Sequence, residues 1–148
     1  AIPKKHAQKA VIAGNLAYRC PGENISPALA WGGVPANAKS LLLVVEDREI
    51  GTSIPFLHWV VWNIPPTATG FAEGASQMPD GARQGKNHFG LAGYGGPCSP
   101  VKHRYTFTIL ALDAMLDWKT DQEFAAKVED MVKGFVVGKG ELAGTFSP

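Results

Sequence analysis

Apolar runs alternate with turn-forming stretches along the chain, and three of those runs read as strands. Leu41-Leu42-Leu43-Val44-Val45 is an unbroken β-favouring run ending in Glu46-Asp47. Such a run predicts a strand covered on both faces. His58-Trp59-Val60-Val61-Trp62-Asn63-Ile64 predicts a second, closed by Pro65-Pro66. From Arg104 to Leu110 the pattern has period two, placing Tyr105, Phe107 and Ile109 on one face and Arg104, Thr106 and Thr108 on the other. Ala10 to Ala13 and Glu141 to Phe146 read as weaker strands.

The period changes once. Thr120 and Glu123 make a capping box, and Phe124, Val128, Met131, Val132 and Phe135 follow at helical spacing. Gly134 is a natural stop, so the pattern predicts a C-terminal helix over about 121–133. Thr67 to Ser99 carries no element signal and is rich in Gly, Pro and Ala; loops of that length in compact domains tend to be functional. No repeat or linker interrupts the pattern. The expectation is one mainly β domain over 1–148.

Composition narrows the class. Seventeen glycines and eleven prolines imply many turns and short elements. With 45% hydrophobic and 18% charged residues, 148 residues can bury a substantial core. Fourteen basic against thirteen acidic residues leave a net charge of +1, without the basic block that a nucleic-acid surface needs. Lys4-Lys5 reads as a solvated pair. No apolar stretch approaches the ~20 residues of a membrane-spanning helix. No signal peptide is visible, and a start at Ala1 is compatible with a removed leader or a trimmed chain.

The chemistry-bearing residues gather at predicted strand ends. Asp47 and Glu49 follow the first strand and share the parity of Leu43 and Val45. His58 opens the second, in register with Val60 and Trp62; His103 precedes the third with the parity of Tyr105 and Phe107. A buried carboxylate is costly unless paired, so a carboxylate–histidine network is the natural arrangement if these ends converge. Taken singly, each has a blander reading: a hydrogen-bonded core histidine, a solvated acidic turn. Gly93-Tyr94-Gly95-Gly96-Pro97 is a turn able to aim several amides at one anion, although most such turns are only turns. It matches neither a Walker loop nor a dinucleotide fingerprint. Nucleophile elbows, catalytic cysteine signatures and closely spaced metal-ligand pairs are missing, so no cofactor or metal is expected. Cys20 and Cys98 are either two buried thiols or one disulfide, and their spacing does not decide between these. A bridge closing so long a loop would be worth roughly 4–5 kcal/mol in the chain-entropy model.

In order along the chain, these segments resemble one family. Cys20-Pro21-Gly22-Glu23-Asn24-Ile25-Ser26-Pro27 with Leu29-Ala30-Trp31 is followed by Lys39-Ser40-Leu41 and Glu46-Asp47-Arg48-Glu49. Then come His58 to Pro65, Gly85-Lys86-Asn87-His88-Phe89-Gly90, and Gly93 to Pro100 before His103-Arg104-Tyr105. This set resembles the phosphatidylethanolamine-binding proteins, in particular the bacterial and archaeal Raf-kinase-inhibitor-like branch. The resemblance implies an antiparallel β-sandwich-like fold with a helix near the C-terminus. It also implies a small pocket accepting phosphate, acetate or a phospholipid headgroup.

Carried over, it makes Asp47, Glu49, His58, His103 and Tyr105 pocket residues and Gly93, Tyr94, Gly95, Gly96 and Pro97 the anion-holding loop. It also implies a Cys20–Cys98 disulfide, which would favour an exported location; free thiols would favour the cytoplasm. The expected function is small-ligand binding, with inhibition of a protease or kinase as the alternative and a histidine-based hydrolase third. Three departures stand out. Arg48 occupies the place of a motif proline, where an arginine between two carboxylates is able to pair with them; Val101 replaces a glycine; and the N-terminus is expected to lack an early strand.

Overall fold

The computed structural model describes all residues except Lys9, Gly14, Asn15, Cys20, Pro21, Ser76, Ser99, Pro100 and Pro148. Of 10–13 and 16–19 only the backbone is described. The chain is mainly β. Strands β1 (Ala10–Ala13) and β2 (Leu16–Arg19) form an antiparallel ribbon, and β3 (Leu29–Ala30) pairs with β6 (Gly70–Phe71) in another. The main sheet is five-stranded and antiparallel, in the order β7-β5-β4-β8-β9. Its members are β4 (Ser40–Asp47), β5 (Phe56–Ile64), β7 (Arg83–Gln84), β8 (His103–Leu112) and β9 (Val136–Phe146).

The central strand behaves as its composition predicts. Every residue of β4 is buried, because its two faces feed two different clusters. Leu42 and Val44 join Val60, Trp62, Leu110, Leu112 and the C-terminal residues Phe124, Val128 and Val132 on the helix face. Leu41, Leu43 and Val45 join Trp59, Val61, Ile64 and Phe71 on the other, which Leu29, Trp31 and Val34 cover as a strap. In β8 the period is right but burial does not follow it: Tyr105 is buried and Arg104 exposed at the start, and the order reverses further on. Thr106 and Thr108 are buried, while Phe107 and Ile109 are only half-buried.

The helix is shorter than predicted. It runs only over Val128–Val132 (α1), followed by a 3-10 turn at Lys133–Phe135. The capping box is not used: Glu123 and the carbonyl of the next residue are committed elsewhere. Glu123 binds Lys86 at 2.6 Å, and the Phe124 carbonyl accepts the His88 Nε2 proton at 2.7 Å. Phe124, Val128 and Val132 do form a buried stripe, whereas Met131 and Phe135 are exposed. The stretch read as element-free holds β6 and β7, two residues each. The final strand begins at Val136 rather than Glu141 and pairs with β8 from end to end. Among the described residues, no helix is long and apolar enough to cross a membrane.

Candidate functional site

Antiparallel pairing of β4 with β8 puts Asp47 directly opposite Tyr105. Two residues along β8, on the same face, His103 reaches diagonally to Asp47: its Nδ1 lies 2.5 Å from Asp47 Oδ2. The other carboxylate oxygen accepts the Glu49 amide at 2.8 Å, the two-residue bond that Asp commonly makes at a turn. Asp47 is 3% exposed, so its charge is met by an imidazole and an amide rather than by water. Glu49 in turn accepts the Arg104 amide at 2.5 Å, clamping the end of β8 to the loop after β4.

His58 reaches the same place by a route that parity hides. Val45 pairs with Trp59 and Glu46 with Leu57, so His58 is the extra residue of a β-bulge. A bulge re-aims the side chains around it. His58 therefore leaves the face of Val60 and Trp62, where simple alternation puts it. Its ring lies edge-on to Tyr105, with centroids 5.2 Å apart, and among Phe56 at 5.0 Å and Phe89 at 5.4 Å. Its Nδ1 is 2.7 Å from the Gly95 carbonyl, which can only accept, so Nδ1 carries the proton and Nε2 the lone pair. Burial pushes the pKa of His58 down to about 4, against the opposing pull of the Gly95 carbonyl and of Asp47. It is neutral at physiological pH. Tyr105 is buried too; burial first, then the Asp47 and Glu49 carboxylates, push its hydroxyl up, so it stays a proton donor.

The glycine-rich turn is placed differently from an anion nest. The Gly93 amide donates to the Gly85 carbonyl at 3.1 Å, Gly95 to the His58 carbonyl at 2.8 Å, and Gly96 to Asn24 Oδ1 at 2.8 Å. Tyr94 sends its hydroxyl to the His6 carbonyl at 2.6 Å and packs its ring on Trp59. The Pro97 carbonyl accepts the Gln8 amide at 3.0 Å. The turn is a wall that orients His58 through Gly95. Gly95 and Gly96 are required by close approach: a Cβ on Gly96 would fall 2.0 Å from the His6 carbonyl oxygen, and one on Gly95 2.5 Å from the Phe89 ring.

Arg48 does not join Asp47 and Glu49. Alternation sends it to the opposite face, where Nε binds Glu46 at 2.9 Å and a terminal nitrogen reaches Glu141 at 3.5 Å. The Asp47–His103 pair is thus untouched by this departure from the motif. Among the described residues, no three acidic, histidine or cysteine side chains converge as a metal site requires. The expected Cys20–Cys98 disulfide falls on Cys20, which lies outside the described residues.

Several organising residues carry little sequence signal of their own. Phe56 begins β5 two residues ahead of His58. Asn87 is buried, donating to the Gly93 carbonyl at 2.9 Å and accepting the Phe89 amide at 2.9 Å, which holds the Phe89 loop in place. His88 is structural, accepting the Leu57 amide and donating to Phe124. The segment Gly85 to Gly90 marks three of them; Phe56 has no marker beyond its place on the strand.

Comparison with known proteins bears on the family and the fold. The phosphatidylethanolamine-binding protein family model matches residues 3–147. A UPF0098 protein of Methanothermobacter thermautotrophicus is 45% identical over 136 residues, 87% of each chain. One from Chlamydia trachomatis is 40% identical over the same share. Among solved structures, YbcL of E. coli, described as a member of the mammalian PEBP family, superposes with a TM-score of 0.80 at 33% identity, covering 98% of this chain and 93% of its own. A PEBP homologue from Chlamydia trachomatis gives 0.77 at 37%, covering 99% and 89%. The chain belongs to the phosphatidylethanolamine-binding protein family.

Proposed function

We propose that this protein, acting as one domain over 1–148, binds a small ligand through a phosphate- or carboxylate-bearing group at the Asp47–His103 end of the sheet. The observation that carries this is the bond between those two residues beside Tyr105 and His58. Asp47 accepts a hydrogen bond from His103 Nδ1, leaving Nε2 as the ring atom available to a ligand, and the Tyr105 hydroxyl supplies a second polar contact. Neutral His58 offers only a lone pair, so a ligand atom meeting it must bring a hydrogen. A singly protonated phosphate or the ammonium of phosphoethanolamine satisfies this; a fully ionised dianion does not. The Cys20–Cys98 disulfide is part of the same proposal. Titration calorimetry with inorganic phosphate and with phosphoethanolamine tests the reading. His103→Ala is expected to weaken binding at least tenfold, and equal affinity in wild type and variant overturns it.

A regulatory role through contact with a protease or kinase is the second reading. Ile50, Leu91 and Val101 are exposed, and each lies within two residues of Glu49, Phe89 or His103. Apolar side chains in loops beside a pocket favour a protein partner. Failure of excess protein to inhibit any member of a serine-protease and kinase panel removes this reading. The hydrolase reading is weakest: a His58 pKa of about 4 makes a poor general base at neutral pH.

A further inference from the structure

A concavity lies away from the polar site. It has a volume of about 520 Å³ and runs between the strap at 28–35 and the sheet. Leu41, Leu43, Phe107 and Ile109 make its floor, Trp31 stands in one wall, and β9 from Gly138 to Leu142 forms the other. None of the polar-site residues lines it. Ile2 and Ala7 pack on Tyr105, Phe107 and Phe146, placing the N-terminal segment over the stretch of β8 that joins the two.

We propose that this concavity is a binding site for an uncharged, hydrocarbon-rich small molecule. Three observations select that class. First, the floor is apolar and incompletely covered: Phe107 and Ile109 are half-buried on a face whose Leu41 and Leu43 are almost wholly buried. Second, the polar groups at its rim already have partners. The Trp31 indole donates to the Ala68 carbonyl at 2.8 Å, and its amide to the Thr69 carbonyl at 2.9 Å. The Lys139 and Glu141 side chains turn to the helix face of the sheet, where Lys139 meets Glu129 at 2.8 Å and Glu141 at 3.6 Å and Arg48 reaches Glu141 at 3.5 Å. No charged side chain is therefore left facing the concavity to attract an ion, and its other lining residues are uncharged. Third, the size fits: small-molecule sites span roughly 300–1,000 Å³. The exposed lining is far below the roughly 800 Å² per partner of a stable protein interface, which argues against a second copy. Gly32 and Gly33 leave open space beside the strap, so a ligand can approach the wall closely.

N-phenyl-1-naphthylamine, an uncharged fluorophore, is the probe. Wild type is expected to bind it saturably at one site per chain, with energy transfer from Trp31 that Trp31→Phe diminishes. Ala30→Trp, on an exposed lining position, fills the space and is expected to weaken binding at least tenfold without changing Tm or the phosphate titration. Should that variant not fold, Gly32→Phe makes the same test from the loop. Absence of saturable binding to wild type overturns the proposal, as does equal affinity in the filled variants. So does a signal that grows only as light scattering reports dimer, which would assign the concavity to a second copy.

Discussion

His103 and Asp47, 56 residues apart in sequence, meet at 2.5 Å and tie the end of β4 to the start of β8. The pair is asymmetric. Asp47 is almost wholly buried, whereas the His103 side chain is 18% exposed, so the carboxylate depends on the ring more than the ring on the carboxylate. Truncating His103 leaves Asp47 with one protein donor in a dry place, at a cost of roughly 1–3 kcal/mol. His103→Ala is therefore expected to lower unfolding free energy as well as ligand affinity. Adding Asp47→Asn to it should recover part of the stability and none of the binding. Urea titrations of the single and double variants separate the two effects.

His58 gives stability a definite pH dependence. Its folded pKa, about 4, lies below the value of 6.5 for an exposed imidazole. Between those values the unfolded chain binds the extra proton, so stability rises with pH across the window. The contribution is complete above about pH 6.5 and is lost as pH falls toward 4, amounting to about 2 kcal/mol between pH 7 and 4.5. His58→Asn keeps a donor for Gly95 but does not titrate. The difference between the two proteins should shrink by that amount on acidification; a constant difference would mean that His58 is not held neutral.

The wall behind His58 has no room to give. An Ala Cβ at position 96 would meet the backbone of His6 at 2.0 Å, and backbone cannot rotate aside as a side chain can. Gly96→Ala is expected to cost roughly 2–3 kcal/mol, in the range of overpacked cores. Gly32→Ala, with nothing within 4 Å of its Cβ, should cost almost nothing. Thermal unfolding of the two compares them directly.

What the sequence made legible, and what it hid, follows from the same geometry. The β4 run announces a doubly covered strand because both faces are apolar, and counting in twos groups Asp47 with Leu43 and Val45 and His103 with Tyr105, although only the β4–β8 register puts the two groups on one face. His58 cannot. Counting in twos sends it to Val60 and Trp62, and only the extra residue of the bulge returns it to Tyr105. The helix was overread for a related reason. Phe124 sits at helical spacing from Val128, but its carbonyl is needed by His88, a partner that no local pattern reveals. The glycine turn stands out in the sequence by its composition. Whether its amides face a ligand or the protein depends on Asn24, Gly85 and the His58 carbonyl, all distant in sequence.

If Cys98 is bonded to Cys20, the unfolded oxidised chain exposes no thiol to a maleimide, and reduction exposes two. Reduction should then lower stability by up to roughly 4–5 kcal/mol, the value for a loop of this length in the chain-entropy model. Labelling that is complete before reduction would exclude the bond.

Arg48 supplies the last test, because it separates fold from site. Its guanidinium meets Glu46, which is 2% exposed, on the face of the sheet away from Asp47. Removing the cation strands a buried carboxylate, and breaking a buried pair from one side is costly, up to roughly 3–5 kcal/mol when the charge has no other recourse. Arg48 is itself one-third exposed along its side chain, so water can replace part of what is lost and roughly 1–3 kcal/mol is expected for Arg48→Ala. Glu46→Gln should rescue most of that deficit, since the stranded charge is then gone. Phosphate affinity should stay the same in all three proteins, because neither side chain faces the Asp47–His103 pair. A fall in affinity that tracks the fall in stability would instead mean that the loop after β4 is held in shape by Arg48, doing the work of the proline it replaces.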